Sequence, residues 1–446
     1  MTDSTLKSAP PRGVGHVHAS MIHVQPVCGA IPATHVLESE PLEIGRIGHV
    51  TGPLAVADPE VSRHHATIEL CDGGWVVVDH ASRNGTFVDG KRVERAPLVD
   101  GSVVRVGRTV VVYTEAEIRS DERLVAPTDT MLIGYSVAAM RIHAEIALVA
   151  KHAMPVLVLG ETGVGKELVA EEIHRRSRRS GAFIAINCAA IAPELAESEL
   201  FGHVAGAFTG AARGSDGVFV AAEGGTLFLD EVGELPADLQ PKLLRALATG
   251  EVRAVGSATA RTVDVRVIAA TLRDLDAQVR DDRFRADLLN RLAGWRLTVS
   301  PLRERRDDII AIANAFLQRH DHRALTVDAA EALVLHDWPG NVRELQRTLT
   351  VAAVRANAAR SEIELAHLPP EIAARTRVRG RVGATPAAMP ILPLAGATPS
   401  RDDLCALLER MDGNIARVAD HYGKDRAQIY RWAKRYDIDL ESFRRD

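Results

Sequence analysis

Cysteine is scarce in this 446-residue chain: Cys28, Cys71, Cys188 and Cys405 are scattered and never stand at CxxC spacing. That argues against a disulfide framework or a zinc site and fits a reducing compartment. Long apolar runs are missing too. None approaches the roughly 20 residues needed to span a bilayer, and the N-terminus has no apolar leader core, so the sequence predicts a cytoplasmic protein with no membrane partner. Excess positive charge is also absent. With a net charge of −5, any nucleic-acid-binding surface must be local. What remains, 46% apolar and 25% charged residues, is ordinary for a globular chain. The length exceeds one core and predicts two to four domains.

Composition divides the chain. Residues 1–35 are rich in Pro, Gly, His and Ser and read as a flexible tail. Residues 36–115 alternate short Val-, Ile- and Thr-rich runs with Gly, Asn and Asp turns, the pattern of a β-sandwich. A short linker, 116–127, leads to residues 128–373. There strands such as Val156–Leu159, Thr226–Leu229 and Val265–Ala270 alternate with helical patterns, predicting an α/β fold around a parallel sheet. Residues 374–400 lose periodicity and read as a second linker, and 401–446 form a short all-α block.

The chemistry is densest in the α/β block. Gly160-Glu161-Thr162-Gly163-Val164-Gly165-Lys166-Glu167 follows an apolar strand and opens a helix. Glycines let backbone N–H groups curl around a phosphate, the helix N-terminus favours the anion, and Lys166 reaches the phosphate oxygens. This predicts ATP binding. Glu167 stands where the general motif has a magnesium-binding Ser or Thr. Thr226-Leu227-Phe228-Leu229-Asp230-Glu231 ends in two acids and resembles the Walker B strand. Asp230 is then the Mg²⁺ ligand, directly or through water, and Glu231 orients the attacking water.

Three clusters mark the sandwich: Gly45-Arg46, Ser62-Arg63-His64-His65 and Asn84-Gly85-Thr86. In this order on a β-rich block they resemble the forkhead-associated (FHA) domain, which binds phosphothreonine peptides. The resemblance implies that Arg46 and Ser62 hold the phosphate with Arg63 close by, and that Asn84 bonds the peptide backbone. His65 and Gly85 would shape the loops. A guanidinium with hydroxyl and amide donors suits a phosphate dianion. The other reading is a sandwich kept for packing against the ATPase.

The word Gly206-Ala207-Phe208-Thr209-Gly210-Ala211, preceded by Glu199-Leu200-Phe201-Gly202-His203, resembles the loop by which AAA+ activators of sigma-54 RNA polymerase grip their target. Glu167 agrees, because that family carries GE[S/T]GxGKE. The resemblance implies a bacterial homo-oligomeric ring, a hexamer or heptamer, whose partner is the sigma-54 polymerase holoenzyme. It further implies Arg285 and Arg291 as arginine fingers donated to the neighbouring subunit, Arg343 as the sensor II arginine, and Thr271 as sensor I. Asn187 would restrain Glu231. The family often has Asn after the sensor I residue, where this chain has Leu272. Arg303, Arg305 and Arg306 read as surface ion pairs. For the loop, the alternative is an internal turn with Phe208 buried.

The final block repeats one helical face three times: Leu404, Leu407, Leu408, Met411; Ile415, Val418, Ala419, Tyr422; and Ile429, Trp432, Ala433, Tyr436. Gly413-Asn414 and Gly423-Lys424-Asp425 separate them. The third helix offers Arg426, Gln428, Arg431, Lys434 and Arg435, with no acid, to a major groove. This resembles the Fis-type helix-turn-helix domain, which implies binding to enhancer-like DNA; a plain three-helix bundle is the alternative. Arg375, Arg377, Arg379 and Arg381 read as a solvated linker, with non-specific phosphate contacts to DNA the alternative. Two whole-chain alternatives stay open: a DNA-binding repressor whose ATPase controls oligomerisation, and an AAA+ remodeller unconnected with transcription.

Overall fold

The structure, a computed structural model, describes residues 16–27, 33–52, 54–119, 130–209, 211–320, 323–376, 401, 404, 405, 408, 415, 418, 419, 426–436 and 438. Residues up to Arg379 form one compact unit and those from Gly380 a second.

The first unit begins with a sandwich of two sheets. One has the order β2 (Ala33–Val36), β1 (His16–Pro26), β11 (Thr109–Arg119), β10 (Val103–Val106), β7 (Thr86–Val88), β8 (Lys91–Val93). The other runs β4 (Ala55–Val56), β3 (Leu42–Arg46), β5 (His64–Cys71), β6 (Gly74–Asp79), β9 (Arg95–Pro97). Alternate residues Ile22, Val24, Val104, Val106, Val111 and Tyr113 meet Ile44, Ile68 and Val77 in the space between the sheets. The first strand corrects the expected flexible tail. It pairs antiparallel with β11 along all 11 of its residues, from His16↔Arg119 to Pro26↔Thr109. Strand β11 thereby also runs through the first residues of the expected 116–127 linker.

The α/β part carries a five-stranded parallel sheet of order β13 (Phe183–Asn187), β14 (Thr226–Asp230), β17 (Arg266–Thr271), β12 (Val156–Leu159), β18 (Trp295–Thr298). Helices α1 (Val137–Val149) and α2 (Lys166–Ser177) cover one face, against Val156, Val158, Phe228 and Ile268. Helices α3 (Pro193–Phe201), α4 (Val218–Ala221), α5 (Gln240–Thr249), α6 (Leu275–Arg280) and α7 (Ala286–Leu292) lie toward the other, against Leu157, Leu227, Leu229 and Ala269. A small hairpin, β15 (Glu251–Val252) with β16 (Arg261–Thr262), follows α5. Strand β12 sits between β17 and β18, both distant in sequence, so its carboxyl end opens into the crevice where α/β sheets bind ligands.

Helices α8 (Ile309–Arg319), α9 (Val327–Leu335), α10 (Asn341–Ala359) and α11 (Pro370–Ala373) form a lid. Its core is continuous with Val27, Val103, Val110 and Val112 of the sandwich, so the lid packs on the outer face of the six-stranded sheet. Two polar contacts are buried in that seam. Arg105 Nε donates to Glu331 Oε2 at 3.0 Å, and His23 Nδ1 lies 3.2 Å from Asp307 Oδ2. Burial pushes the Glu331 carboxyl up to about 7, with Arg105 acting in the opposite sense. It also pushes Asp307 well up and His23 down to about 4.

In the second unit α12 (Arg426–Arg435) buries Ile429 and Trp432 against Leu404, Leu408, Ile415, Val418 and Ala419. Arg426, Arg431, Lys434 and Arg435 are exposed and Gln428 is half-buried. Leu407, Met411, Tyr422, the two expected turns and residues 377–400 lie outside the described residues. Arg375, expected in a solvated linker, instead donates to Asp337 at 2.9 Å.

Candidate active site

The loop after β12 holds three glycines in backbone conformations that side chains rarely adopt: Gly160 at φ +158°, Gly163 at +79° and Gly165 at +104°. Gly163 is also crowded, since a Cβ there would fall 2.4 Å from the Gly340 carbonyl oxygen. Helix α2 starts at Lys166, directing its N-terminus into the loop. Lys166 is buried. Its ammonium donates to the Gly160 carbonyl at 2.9 Å and pairs with Glu231 Oε1 at 3.2 Å.

Asp230 ends β14, two strands from β12, and Glu231 follows it directly. Glu231 adopts φ +51°, a left-handed conformation that turns its carboxylate across toward the loop. One oxygen meets Lys166 and the other accepts the Leu272 N–H at 3.1 Å. Burial, then the neighbouring Glu231, pushes the Asp230 carboxyl up, and Glu167 adds to that push. Glu167 therefore belongs electrostatically to the acidic pair. Half-buried carboxylates beside a phosphate loop are the donors Mg²⁺ takes together with phosphate oxygens and water.

Two expected contacts are rearranged. Asn187 Nδ2 donates to Asp230 Oδ2 at 3.3 Å, so its partner is Asp230 and not Glu231. Strand pairing Asn187↔Asp230 fixes this. The Thr271 hydroxyl is buried and accepts the Arg273 N–H at 3.0 Å, while the next amide, Leu272, holds Glu231. A backbone N–H supplies that bond whatever the side chain, so Leu272 keeps it.

The arginines fall into two groups. Arg285, just before α7, pairs with Asp287 at 2.8 Å, and Arg291 on α7 donates to the Leu247 carbonyl at 3.0 Å; both arginines are exposed. The structure ties neither to this chain's own phosphate loop. Arg343, near the start of α10, brings its N–H to the Gly163 carbonyl at 3.4 Å. Of the three arginines expected as surface ion pairs, Arg303 and Arg306 form partly exposed pairs and Arg305 does not. Arg305 is buried and donates to the Val164 carbonyl at 2.9 Å. Arg306 reaches the Gly101 carbonyl at 3.3 Å and Asp337 at 3.2 Å. Arg303 grips Glu161 with two bonds, 2.7 and 2.9 Å. The Glu161 carboxylate, expected with the nucleotide contacts, thus faces the lid, and Arg303 with Asn341 holds it down at about 2.

The segment 206–211 is a turn closed by the Gly206 N–H on the Ala211 carbonyl (2.8 Å) and the Ala211 N–H on the Phe208 carbonyl (3.0 Å). Gly210 lies outside the described residues. Phe208 is 40% exposed, whereas Phe201 and Phe219 are buried and stack on one another. The buried-turn alternative is therefore excluded. The Phe208 ring leans on His203, centroids 5.0 Å apart, and His203 is held by Ser198 at 2.7 Å and the Arg213 carbonyl at 2.9 Å. His203 stood in the sequence word before the loop, without a sign that the two rings touch.

At the sandwich tip, Arg46, Pro59, Glu60, Ser62, Arg83 and Asn84 line a polar cleft. Arg46 donates to the Val61 and Pro59 carbonyls at 3.0 and 2.9 Å, and the Ser62 hydroxyl accepts the Arg83 N–H at 3.1 Å. Asn84 donates to the Glu60 carbonyl at 2.6 Å. The second cation of this cleft is Arg83, not the expected Arg63. The sequence placed Arg83 beside Asn84 but gave no reason to bring it to Ser62.

Fold and site together define an AAA+ ATPase carrying an FHA domain. Residues 132–298 match the Sigma-54 interaction domain, 303–384 the AAA+ ATPase lid domain and 42–107 the FHA domain. The chain is 45% identical over 420 residues to the nitric oxide reductase transcription regulator NorR1 of Cupriavidus necator, covering 87% of this chain and 80% of that protein. It is 42% identical over 325 residues to the regulatory protein LuxO of Vibrio cholerae, covering 69% of this chain but 61% of that protein. Among solved structures, NtrX from Brucella abortus in complex with ATP aligns with a TM-score of 0.50 at 30% identity, over 72% of this chain and 71% of that one. The chain belongs to the family of sigma-54-dependent transcription activators, and its core is an ATP-binding AAA+ ATPase.

Proposed function

We propose that this protein is a phosphorylation-responsive activator that binds enhancer-like DNA and remodels the closed complex of sigma-54 polymerase through the loop 206–211. The observation that carries the reading is Phe208, an exposed aromatic on a glycine-edged turn in the same unit as the phosphate loop. Lys166 would hold the nucleotide phosphates, Asp230 the Mg²⁺ that neutralises their charge, and Glu231 the attacking water. Lys166 and Glu231 neutralise one another here, so a phosphate entering the loop competes for Lys166 and releases Glu231. Arg285 and Arg291, exposed and bonded to Asp287 and the Leu247 carbonyl instead of to this chain's own phosphate loop, would reach the site of a neighbouring subunit in a hexameric or heptameric ring.

The cleft at Arg46, Ser62, Arg83 and Asn84 would take a phosphothreonine peptide made by a Ser/Thr kinase. Exposed Arg426, Arg431, Lys434 and Arg435, with Gln428, would meet DNA. The protein would act in the bacterial cytoplasm, and no helix among the described residues is long and apolar enough to cross a membrane. Transcription in vitro with purified sigma-54 holoenzyme tests the reading. ATP-dependent open complexes are expected; repression alone, or no effect on transcription, would contradict it.

A further inference from the structure

Four successive residues of the phosphate loop are each bonded to the lid or to the segment entering it. Glu161 receives Arg303 through both carboxylate oxygens and Asn341 Nδ2 at 3.1 Å. The Thr162 carbonyl accepts the same Asn341 amide group at 3.1 Å. The Gly163 carbonyl accepts the Arg343 N–H at 3.4 Å, and the Val164 carbonyl accepts Arg305 at 2.9 Å. Every one of these bonds uses an acceptor of the loop. None engages an N–H, and N–H groups are what a phosphate requires.

Asn341 is the centre of the arrangement. It is fully buried at φ +54°, and its Oδ1 accepts the Leu302 N–H at 2.7 Å. Both ends of its amide are thus engaged, joining the phosphate loop to the strap that leads into the lid. The Glu161–Arg303 pair differs in character, because it is 42% and 40% exposed and open to screening by salt. One part of the linkage is fixed and the other releasable.

We propose that Asn341, Arg305 and the Glu161–Arg303 pair are positioning residues, a clasp through which the placement of the lid sets the shape of the phosphate loop and hence nucleotide affinity. The inference rests on the reading of Gly160–Lys166 as the nucleotide site. ADP binding to the full-length protein, followed by calorimetry, separates the two. Lys166→Ala should lose binding; retained affinity would overturn the site and the clasp together. Arg303→Gln should weaken ADP binding roughly two- to fivefold, and Arg303→Lys, which keeps the charge beside Glu161, should recover part of that loss. Asn341→Gly tolerates the left-handed backbone and deletes the side-chain bonds, so it should fold and weaken binding about tenfold or more. Wild-type affinity in Arg303→Gln and Asn341→Gly, with Lys166→Ala inactive, would overturn the clasp alone. So would an Arg303→Lys variant that binds no better than Arg303→Gln.

Discussion

Lys166 and Asp230 lie at the ends of neighbouring chemistry: one is buried against the Glu231 carboxylate, the other pushed toward its protonated form by burial and that same carboxylate. A cation entering beside Asp230 reverses the push, because it favours the ionised form. Asp230→Ala is therefore expected to abolish ATP hydrolysis, measured as phosphate release, and retained turnover would mean the metal site lies elsewhere. In the sandwich, Arg46 anchors the cleft through the Pro59 and Val61 carbonyls. Arg46→Ala should remove the preference for a phosphothreonine peptide over its unphosphorylated form in calorimetry, and an undiminished preference would refute that role. Residues of this kind were legible because their chemistry is local in the chain. The glycines, Lys166 and the acid pair each sit in one short word. Arg303, Arg305 and Asn341 were not legible as loop partners, because each meets the loop only after more than a hundred residues of folding, and a lone arginine resembles any other.

Among elements, β1 shows what periodicity hides. A half-buried strand alternates apolar and polar residues, but Met21, Ile22, His23, Val24 and Gln25 are all buried. Ile22 and Val24 face the sandwich core and His23 faces Asp307 of the lid segment. With both faces covered the alternation disappears, and the histidines gave the segment the composition of a tail. The same double coverage explains Arg105 on β10, a charge inside a sheet whose partner, Glu331, lies on α9. Glu331 holds its proton more tightly folded than unfolded. Its contribution to stability is therefore complete below its ordinary value of about 4.5 and is lost as pH rises through about 7. Wild type should fall in urea midpoint relative to Glu331→Gln between about pH 5 and 8; parallel curves would contradict the assignment. Arg105→Ala, which leaves that carboxyl buried without its partner, should lower the urea midpoint, most of all above about pH 7 where Glu331 ionises.

At the scale of the molecule, the polar cleft of the FHA domain and an ATPase lid belong to one compact unit, joined by a shared apolar core. A sandwich that packs through its outer face leaves its loop tip, with Arg46, Ser62 and Asn84, open to a partner. If the proposed peptide binds there, the seam would give it a physical route to the lid, and through the contacts of Asn341 and Arg305 to the phosphate loop. The sandwich, the parallel sheet and the helical end were foreseeable from pattern, but their joining was not, because the contacts at the seam leave no local signature.

Coupling of ATP hydrolysis to polymerase remodelling through Phe208, as proposed, is tested by open complexes formed by sigma-54 holoenzyme, counted together with ATP hydrolysed. Wild type should form open complexes as ATP is consumed. Phe208→Ala should keep hydrolysing ATP while open complexes disappear. Open complexes formed by Phe208→Ala at the wild-type level would contradict a role for Phe208 in remodelling.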